Sequence, residues 1–310
     1  MATTPRLRIG TRGSPLALAQ AEIVRARLAG AWPELEMPDA SAIVAIKTSG
    51  DRILDRPLAD AGGKGLFTKE IEEALLARTI DIAVHSMKDM PTWLPPGLVV
   101  ACLLQREDPR DALIAPAGVD GIASLPQGTV VGTSSLRRKA QLLARRRDLR
   151  VVDLRGNVET RLARIAQGRA QATLLALAGL KRLGLEHHAS AVLGPEDMLP
   201  AVAQGAIGIE CRSDDARVRA FLAPLHHAPT GHAIAAERGV LERLDGSCRT
   251  PIAALATGRT FGRLRLDALI AKPDGSALLR TAREGPTGDA REMGLDAGEE
   301  LRAAGGPGFF

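Results

Sequence analysis

Two segments of the chain repeat one local pattern, and this repeat constrains the fold more than any other feature. Residues 7–15 read Leu-Arg-Ile-Gly-Thr-Arg-Gly-Ser-Pro, and residues 130–138 read Val-Val-Gly-Thr-Ser-Ser-Leu-Arg-Arg. Each segment has a short apolar strand, a Gly-Thr pair, a serine suited to cap a helix, and an arginine within a few residues of the helix start. The repeat predicts two similar lobes, one around each segment.

The helix starts are candidate sites for an anion. A helix N-terminus offers free backbone N–H groups and the positive end of the helix dipole, and an arginine fork beside them suits a carboxylate or phosphate. In the second lobe the polar residues that follow the strands are Ser134, Ser135, Arg137, Arg138, Arg155, Asn157 (a candidate helix cap) and Arg161. Ligands of open α/β sheets collect at these strand ends. The alternative to an anion site is a basic helix face exposed to solvent, and we assign the arginines at 145–147 to such a face.

Apolar strands alternate with helical segments, which predicts parallel βαβ units. The charged, proline-broken stretch 106–111 predicts a hinge, and residues 199–210 predict a strand that returns to the first lobe. Two crossings between lobes are typical of periplasmic binding proteins. We therefore predict an α/β fold of two periplasmic-binding-protein-like lobes with a hinge, plus a small C-terminal α+β domain. The predicted domains are residues 1–105 with 200–223 (the discontinuous N-terminal lobe), 106–199 (the second lobe) and 224–310.

Composition narrows the function classes. Of 310 residues, 45% are hydrophobic and 25% are charged, as in ordinary soluble proteins, and the net charge of +5 favours an acidic partner. Aromatic residues make up only 2%, and base-stacking proteins need aromatic platforms, so we expect no nucleic acid partner. No apolar run has the length of a signal peptide or a membrane span, so we expect a cytoplasmic protein with no membrane partner.

Cysteine and histidine usage points to a reduced, metal-free protein. Three cysteines, an odd number, do not form a disulfide framework, and the histidines lack ligand spacing, so we expect no metal. Cys102 and Cys211 lie in apolar strands and are expected to be buried. Cys248 lies in a polar loop beside Arg249, a cation that favours the thiolate. We interpret Cys248 as a candidate nucleophile or attachment point.

A second candidate for chemistry is the segment His85-Ser-Met-Lys-Asp-Met-Pro91, at the end of a predicted strand. Lys88 beside Asp89 is typical of a surface ion pair. At a strand tip that faces a basic cleft, however, the Asp89 carboxylate could stabilise a cation or exchange a proton with a leaving group. His85 lies in an apolar strand, so we expect it to pack in the core.

Several motifs together resemble the porphobilinogen deaminase (hydroxymethylbilane synthase) family over nearly the whole length. The motifs are Thr-Arg-Gly-Ser-Pro-Leu-Ala-Leu-Ala-Gln (11–20), Gly-Gly-Lys-Gly-Leu-Phe (62–67), His-Ser-Met-Lys-Asp-Met-Pro (85–91), Arg-Glu-Asp-Pro-Arg-Asp-Ala (106–112), Val-Gly-Thr-Ser-Ser-Leu-Arg-Arg (131–138), Leu-Arg-Gly-Asn-Val-Glu-Thr-Arg (154–161), Ala-Gly-Leu-Lys-Arg (178–182) and Gly-Ser-Cys (246–248). Ser49 departs from the pattern, since some members carry arginine there.

The resemblance implies a transferase that acts as a monomer in porphyrin and haem biosynthesis. It would condense four porphobilinogen units head to tail into hydroxymethylbilane, with loss of ammonia at each step. The resemblance implies that Cys248 carries a dipyrromethane cofactor through a thioether, which makes 224–310 the cofactor-attachment domain. Asp89, with Lys88, would be catalytic. The residues that would hold cofactor and substrate are Arg12, Ser14, Lys88, Ser135, Arg137, Arg138, Arg155 and Arg161. Lys64 and Phe67 would lie on a lid, and Arg182 near the growing chain.

Two other functions fit part of the pattern. A non-catalytic two-lobe binding protein for an anionic small molecule would share the architecture, but it predicts an export signal and gives Cys248 no role. An RNA-binding protein would use the basic run at 137–150, but it predicts aromatic groups near those arginines, and the run contains none.

Overall fold

A computed structural model describes residues 6–37, 39–52, 65–246 and 250–309. Within these ranges the strands are β1 (Leu7–Arg12), β2 (Ser41–Ile46), β3 (Ile82–Ser86), β4 (Leu98–Leu103), β5 (Asp111–Ile114), β6 (Val130–Gly132), β7 (Arg150–Val152), β8 (Ala172–Ala176), β9 (Ala191–Val192), β10 (Ile207–Arg212), β11 (Ile252–Arg259), β12 (Arg263–Ala271) and β13 (Leu278–Pro286). The helices are α1 (Pro15–Ala31), α2 (Ser49–Arg52), α3 (Lys69–Leu76), α4 (Leu136–Arg145), α5 (Val158–Ala166), α6 (Leu177–Arg182), α7 (Ala216–Leu222), α8 (Ala228–Arg243) and α9 (Ala290–Gly305).

The first compact unit comprises Met1–Arg106 and Ala206–Thr230. Its sheet has the strand order β2-β1-β3-β10-β4, in which β1 runs parallel to β2 and β3. Strand β10 runs antiparallel to both β3 and β4. Leu7 and Ile9 of β1 are fully buried against Val24 and Leu28 of α1, because helical spacing puts both α1 residues on the face that meets the sheet. This packing fixes the end of β1 beside the start of α1.

The second unit comprises Glu107–Gly205 and Gly231–Phe310. Its larger sheet, in the order β7-β6-β8-β5-β9, repeats the pattern of the first. Strand β6 is parallel to β7 and β8, whereas β5 is antiparallel to β8 and β9. The sequence repeat therefore corresponds to a repeated topology: β1 with α1 in one unit, and β6 with α4 in the other. The predicted α/β class with two sheet-containing lobes is confirmed.

The second unit also contains the small C-terminal sheet, in which β11, β12 and β13 are antiparallel neighbours beside α8 and α9. This part of the fold class is confirmed as well, although the sequence analysis did not identify β13 or α9. Polar and apolar residues are mixed along β13, so alternation there gives a weak signal. The predicted boundaries of three domains remain a prediction.

Helices α8 and α9 approach closely at Gly239 and Gly294, where a Cβ on Gly294 would overlap the carbonyl oxygen of Ala236. We expect Gly294→Val to destabilise the protein by about 1–3 kcal/mol, because the added side chain forces the helices apart. Thermal unfolding measures the loss. Gly258→Ala is the matched control, since no atom would lie within 4 Å of its Cβ. Equal melting temperatures for the two variants would contradict the close approach.

The predicted return strand over residues 199–210 is wrong over residues 199–206, because the strand begins only at Ile207. Ala203 and Gly205 have φ angles of 60° and 89°, which no strand residue adopts. The amide of Ala203 instead donates to Glu237. Strand β5 was also missed, because its first residue, Asp111, ends the charged stretch that we interpreted as a hinge. Among the described residues, no helix combines the length and apolarity needed to cross a membrane.

Candidate active site

A pocket that is open to solvent lies in the first unit at the ends of two parallel strands. Arg12 ends β1, and Asp89 lies in the 3₁₀ turn that follows β3. Residues on the pocket wall include Arg12, Ser14, Phe67, His85, Ser86 and Asp89. Strands β1 and β3 are neighbours, so their carboxyl ends meet at one sheet edge. Four residues from the predicted site are therefore brought together: Arg12, Ser14, Phe67 and Asp89.

Asp89 is exposed, whereas Lys88 beside it is half-buried. The turn that carries both residues starts directly after Ser86, whose hydroxyl bonds to the Gln20 amide group at 2.9 Å. The backbone amide of Met87, in the same turn, donates to the carbonyl oxygen of Ala206 at 3.0 Å. The turn is thus anchored on both sides, and it presents the Asp89 carboxylate at the pocket.

Arg12 is held from two directions. Its Nη2 and Nε donate to the Asp51 carboxylate at 2.5 and 3.4 Å. The guanidinium also lies over the Phe67 ring, 4.1 Å from its centroid, which is a favourable cation–π distance. The sequence analysis did not identify Asp51, although it lies in the Lys-Thr-Ser-Gly-Asp segment that precedes the glycine-rich motif.

Ser14 caps α1 as predicted, because its Oγ accepts a hydrogen bond from the amide of Ala17 at 3.3 Å. Ser135 caps α4 in the same way, accepting from the amide of Arg138 at 3.4 Å. Asn157 caps α5 through the amide of Thr160 at 2.8 Å. All three predicted caps are confirmed, and each serine hydroxyl can still donate its own proton to a ligand.

His85 is buried, as expected for a core residue, but it also makes a polar contact that was not foreseen. Its Nε2 lies 3.0 Å from Oε2 of the fully buried Glu210 on the neighbouring strand β10. Glu72 of α3 is buried as well. Burial, more than any other influence, raises the pKa of the Glu72 carboxyl, and Glu210 raises it further. Two buried acids, Glu72 and Glu210, therefore lie close to His85, which is itself on the pocket wall.

In the second unit, Arg137 and Arg138 both bind the fully buried Asp111, each with a shortest contact of 2.7 Å. Arg137 also donates to the carbonyl oxygen of Leu199, and Arg138 to that of Leu174, both at 2.8 Å. The arginines are themselves about 95% buried. Burial alone would raise the pKa of Asp111, but the two guanidiniums outweigh it and hold this pKa well below its ordinary value.

The remaining arginines of the predicted site lie on α5 and α6 or just before them. Arg155 and Arg161 are half-buried, and Arg161 Nε donates to the carbonyl oxygen of Gly156 at 2.8 Å. Arg182 donates to the carbonyl oxygen of Gly205 at 2.6 Å. Its burial lowers its pKa to about 10. Two further residues of the predicted site, Lys64 and Cys248, lie outside the described residues.

Comparison with known proteins identifies the family. A family model described as porphobilinogen deaminase, dipyromethane cofactor binding domain, matches residues 7–220. A second, for the porphobilinogen deaminase C-terminal domain, matches residues 232–303. The chain belongs to the porphobilinogen deaminase family. The resemblance inferred from the motifs is therefore confirmed, and the alternative of a non-catalytic binding protein is not favoured.

Curated relatives agree along nearly the whole chain. Porphobilinogen deaminase from Paracoccus denitrificans is 57% identical over 304 residues, covering 98% of this chain and 96% of the relative. The chloroplastic porphobilinogen deaminase of Oryza sativa is 56% identical over 306 residues, covering 98% and 85%. Among solved structures, a TRAP periplasmic solute binding protein from Desulfovibrio salexigens has a TM-score of 0.42 at 12% identity, covering 72% of this chain and 73% of that one.

Proposed function

We propose that this member of the porphobilinogen deaminase family condenses four porphobilinogen molecules head to tail into hydroxymethylbilane, releasing ammonia at each step. The observation that carries the proposal is the shared pocket of Arg12 and Asp89, in a chain whose family is known. An anionic pyrrole needs a cation to hold its carboxylates, and its condensation needs a carboxylate to manage protons. Both groups lie on the wall of this pocket.

The described residues fit a dipyrromethane cofactor, which carries acetate and propionate groups. A quarter of the Arg12 side chain is exposed. In the second unit, two guanidiniums face the single carboxylate of Asp111, and the buried Nε of Arg137 has no hydrogen-bond partner among the described residues. Excess buried positive charge calls for an anion. When bound, the cofactor would supply the free pyrrole carbon to which the first substrate ring is joined, and each later ring would be joined to the ring added before it.

We assign the cofactor's thioether to Cys248. The side chains that would hold cofactor and substrate carboxylates are Arg12, Ser14, Lys88, Ser135, Arg137, Arg138, Arg155 and Arg161. Lys64 and Phe67 would contact substrate from the lid, and Arg182 would act near the growing chain. The support for these assignments is the match of each residue to a family motif, together with the pocket positions of Arg12, Ser14 and Phe67.

Asp89 is the group that we assign to proton transfer. Its exposed carboxylate can hold a proton for the leaving amine and stabilise the positive charge that develops on the substrate methylene carbon. After the new carbon–carbon bond forms, the same carboxylate accepts the proton that the ring loses. Lys88, in the same turn, is the second residue that we assign to catalysis, as a positive charge beside the Asp89 carboxylate.

Intact-protein mass spectrometry combined with a porphobilinogen assay tests this function. The purified protein should carry a covalent adduct that reacts with acid Ehrlich reagent, and it should convert porphobilinogen to hydroxymethylbilane. Cys248→Ser should have the mass of the polypeptide alone and no turnover, because the thioether cannot form. Cys102→Ser is the matched control and should keep the adduct, since Cys102 is buried and its pKa is raised to about 12 by that burial. An adduct that persists in Cys248→Ser would contradict the assignment.

We further propose that the protein is a cytoplasmic monomer that acts in tetrapyrrole biosynthesis. Its composition and the small number of cysteines support the compartment. Size-exclusion chromatography with light scattering measures the oligomeric state, and the molar mass should be that of one chain.

A further inference from the structure

Arg12, which we assign to a substrate or cofactor carboxylate, already binds a carboxylate of its own chain. Asp51 accepts hydrogen bonds from Nε and Nη2, along one edge of the guanidinium. Phe67 covers one face of the same group at 4.1 Å. Among the described residues, these contacts leave the edge formed by the two terminal nitrogens and the other face of the guanidinium for a ligand.

Each unit thus pairs an arginine at a helix start with an internal acid, but the two pairs differ in burial. Asp111 is fully buried between Arg137 and Arg138. Arg12 and Asp51 retain 25% and 23% of their side-chain exposure. Breaking a buried ion pair leaves charges in an apolar interior, whereas breaking a partly exposed pair returns both charges to water. Separating Asp111 from Arg137 and Arg138 therefore costs more free energy than separating Asp51 from Arg12.

Asp51 has a second hydrogen-bond partner, Thr48, which can hold its carboxylate in place when the bonds to Arg12 are broken. Its Oδ2 accepts from the Thr48 hydroxyl at 2.8 Å, independently of Arg12. Burial on its own raises the pKa of Asp51, and the hydrogen bonds from Arg12 and Thr48 more than offset this, so the carboxyl is ionised at neutral pH. A ligand carboxylate that binds the same guanidinium therefore meets the negative charge of Asp51 beside it.

We propose that Asp51 competes with the carboxylate of an incoming pyrrole for Arg12 and so weakens substrate binding. The proposal rests on the proposed function, in which Arg12 binds that carboxylate. A substrate carboxylate must either displace Asp51 from Arg12 or bind beside it against charge repulsion. Both lower the affinity for substrate. The growing chain gains carboxylates at every step, and it has to move through the site as it lengthens. Weaker binding of each ring at Arg12 favours this movement.

The test is the steady-state KM for porphobilinogen in the holoenzyme of Asp51→Asn. Asparagine keeps the shape and the bond from Thr48 but removes the charge. We expect KM to fall about two- to five-fold, the range that a partly exposed ion pair supports, without a rise in kcat. Asp214→Asn is the matched control in the same unit, because it removes an exposed partner of Arg78 at 3.3 Å and should leave KM unchanged. Thermal unfolding of each variant checks that the fold is retained.

A double-variant cycle separates this inference from the proposed function. Arg12→Gln should raise KM, and adding Asp51→Asn to it should change KM no further, because no guanidinium remains to compete for. An unchanged KM in Arg12→Gln would reject the role assigned to Arg12. A raised KM in Arg12→Gln together with an unchanged or raised KM in Asp51→Asn alone would reject the competition only, and would make Asp51 a residue that orients Arg12.

Discussion

Asp89→Asn is expected to lower kcat for hydroxymethylbilane formation by about 10²–10⁴-fold, the usual loss when a positioned acid–base group is removed. Asparagine keeps the shape of the side chain but can neither hold a proton for the leaving amine nor accept one from the ring. Because Asp89 is exposed, the melting temperature should stay close to that of the unchanged protein. The measurement is the rate of product formation at saturating porphobilinogen.

Two further variants sharpen this experiment. Asp89→Glu keeps a carboxylate but displaces it by one methylene group, so it should retain more activity than Asp89→Asn. Glu34→Gln removes an exposed acid that pairs with Arg6 in the same unit, and it should have no effect on the rate. If Asp89→Asn makes the tetrapyrrole at a nearly normal rate, proton transfer belongs to another group.

Asp111→Ala should be the most destabilising of the proposed substitutions, by about 3–5 kcal/mol, because it leaves the buried guanidiniums of Arg137 and Arg138 without their counter-ion. Chemical denaturation at neutral pH measures the free energy of unfolding. Asp148→Ala is the matched control, since it removes an acid bound by Arg146 on the exposed side of the same unit. Its effect should be much smaller, and equal losses in the two variants would contradict the importance of burial.

The pH dependence of this stability has a definite sign. Arg137 and Arg138 hold the pKa of Asp111 in the folded protein well below the unfolded value of about 3.9. The stabilisation is therefore fully present above about pH 4 and is lost as the pH falls toward the folded pKa. Below pH 4 the unchanged protein should lose stability more steeply than Asp111→Ala. Parallel curves for the two proteins would show that Asp111 does not contribute through its charge.

Local features of the fold were predictable because they depend on residues close together in the chain. Ser14 and Ser135 follow short apolar strands and precede helical sequence, and both cap helices as that pattern predicts. The repeated topology of the two large sheets follows from the same pattern. Strand β13 was missed because a partly exposed strand with mixed polarity carries little periodic signal.

The partners of the site arginines were not predictable from local pattern. Asp51 lies 39 positions from Arg12, and Asp111 lies 26 positions from Arg137. An arginine at a helix start can bind an external anion or an acid of its own chain, and sequence spacing does not distinguish the two. The position of the acid in the sheet determines which anion the arginine binds. Asp111 is the first residue of β5, which pairs with β8, and this position brings the Asp111 carboxylate within reach of α4. The family motifs located these arginines without revealing their internal acids.

Glu237 of α8 has a consequence for how the C-terminal region can be divided from the rest. One of its buried oxygens accepts from the amide of Ala203 at 2.7 Å, and the other accepts from the amide of Ala256 at 2.8 Å. Gly275, in the turn between β12 and β13, also lies so close to the backbone of α4 that a Cβ there would overlap the amide nitrogen of Ala144. The last eighty or so residues are therefore bonded to, and packed against, the rest of the second unit. A graft that exchanged them between homologues would have to carry along the loop around Ala203 and the matching face of α4.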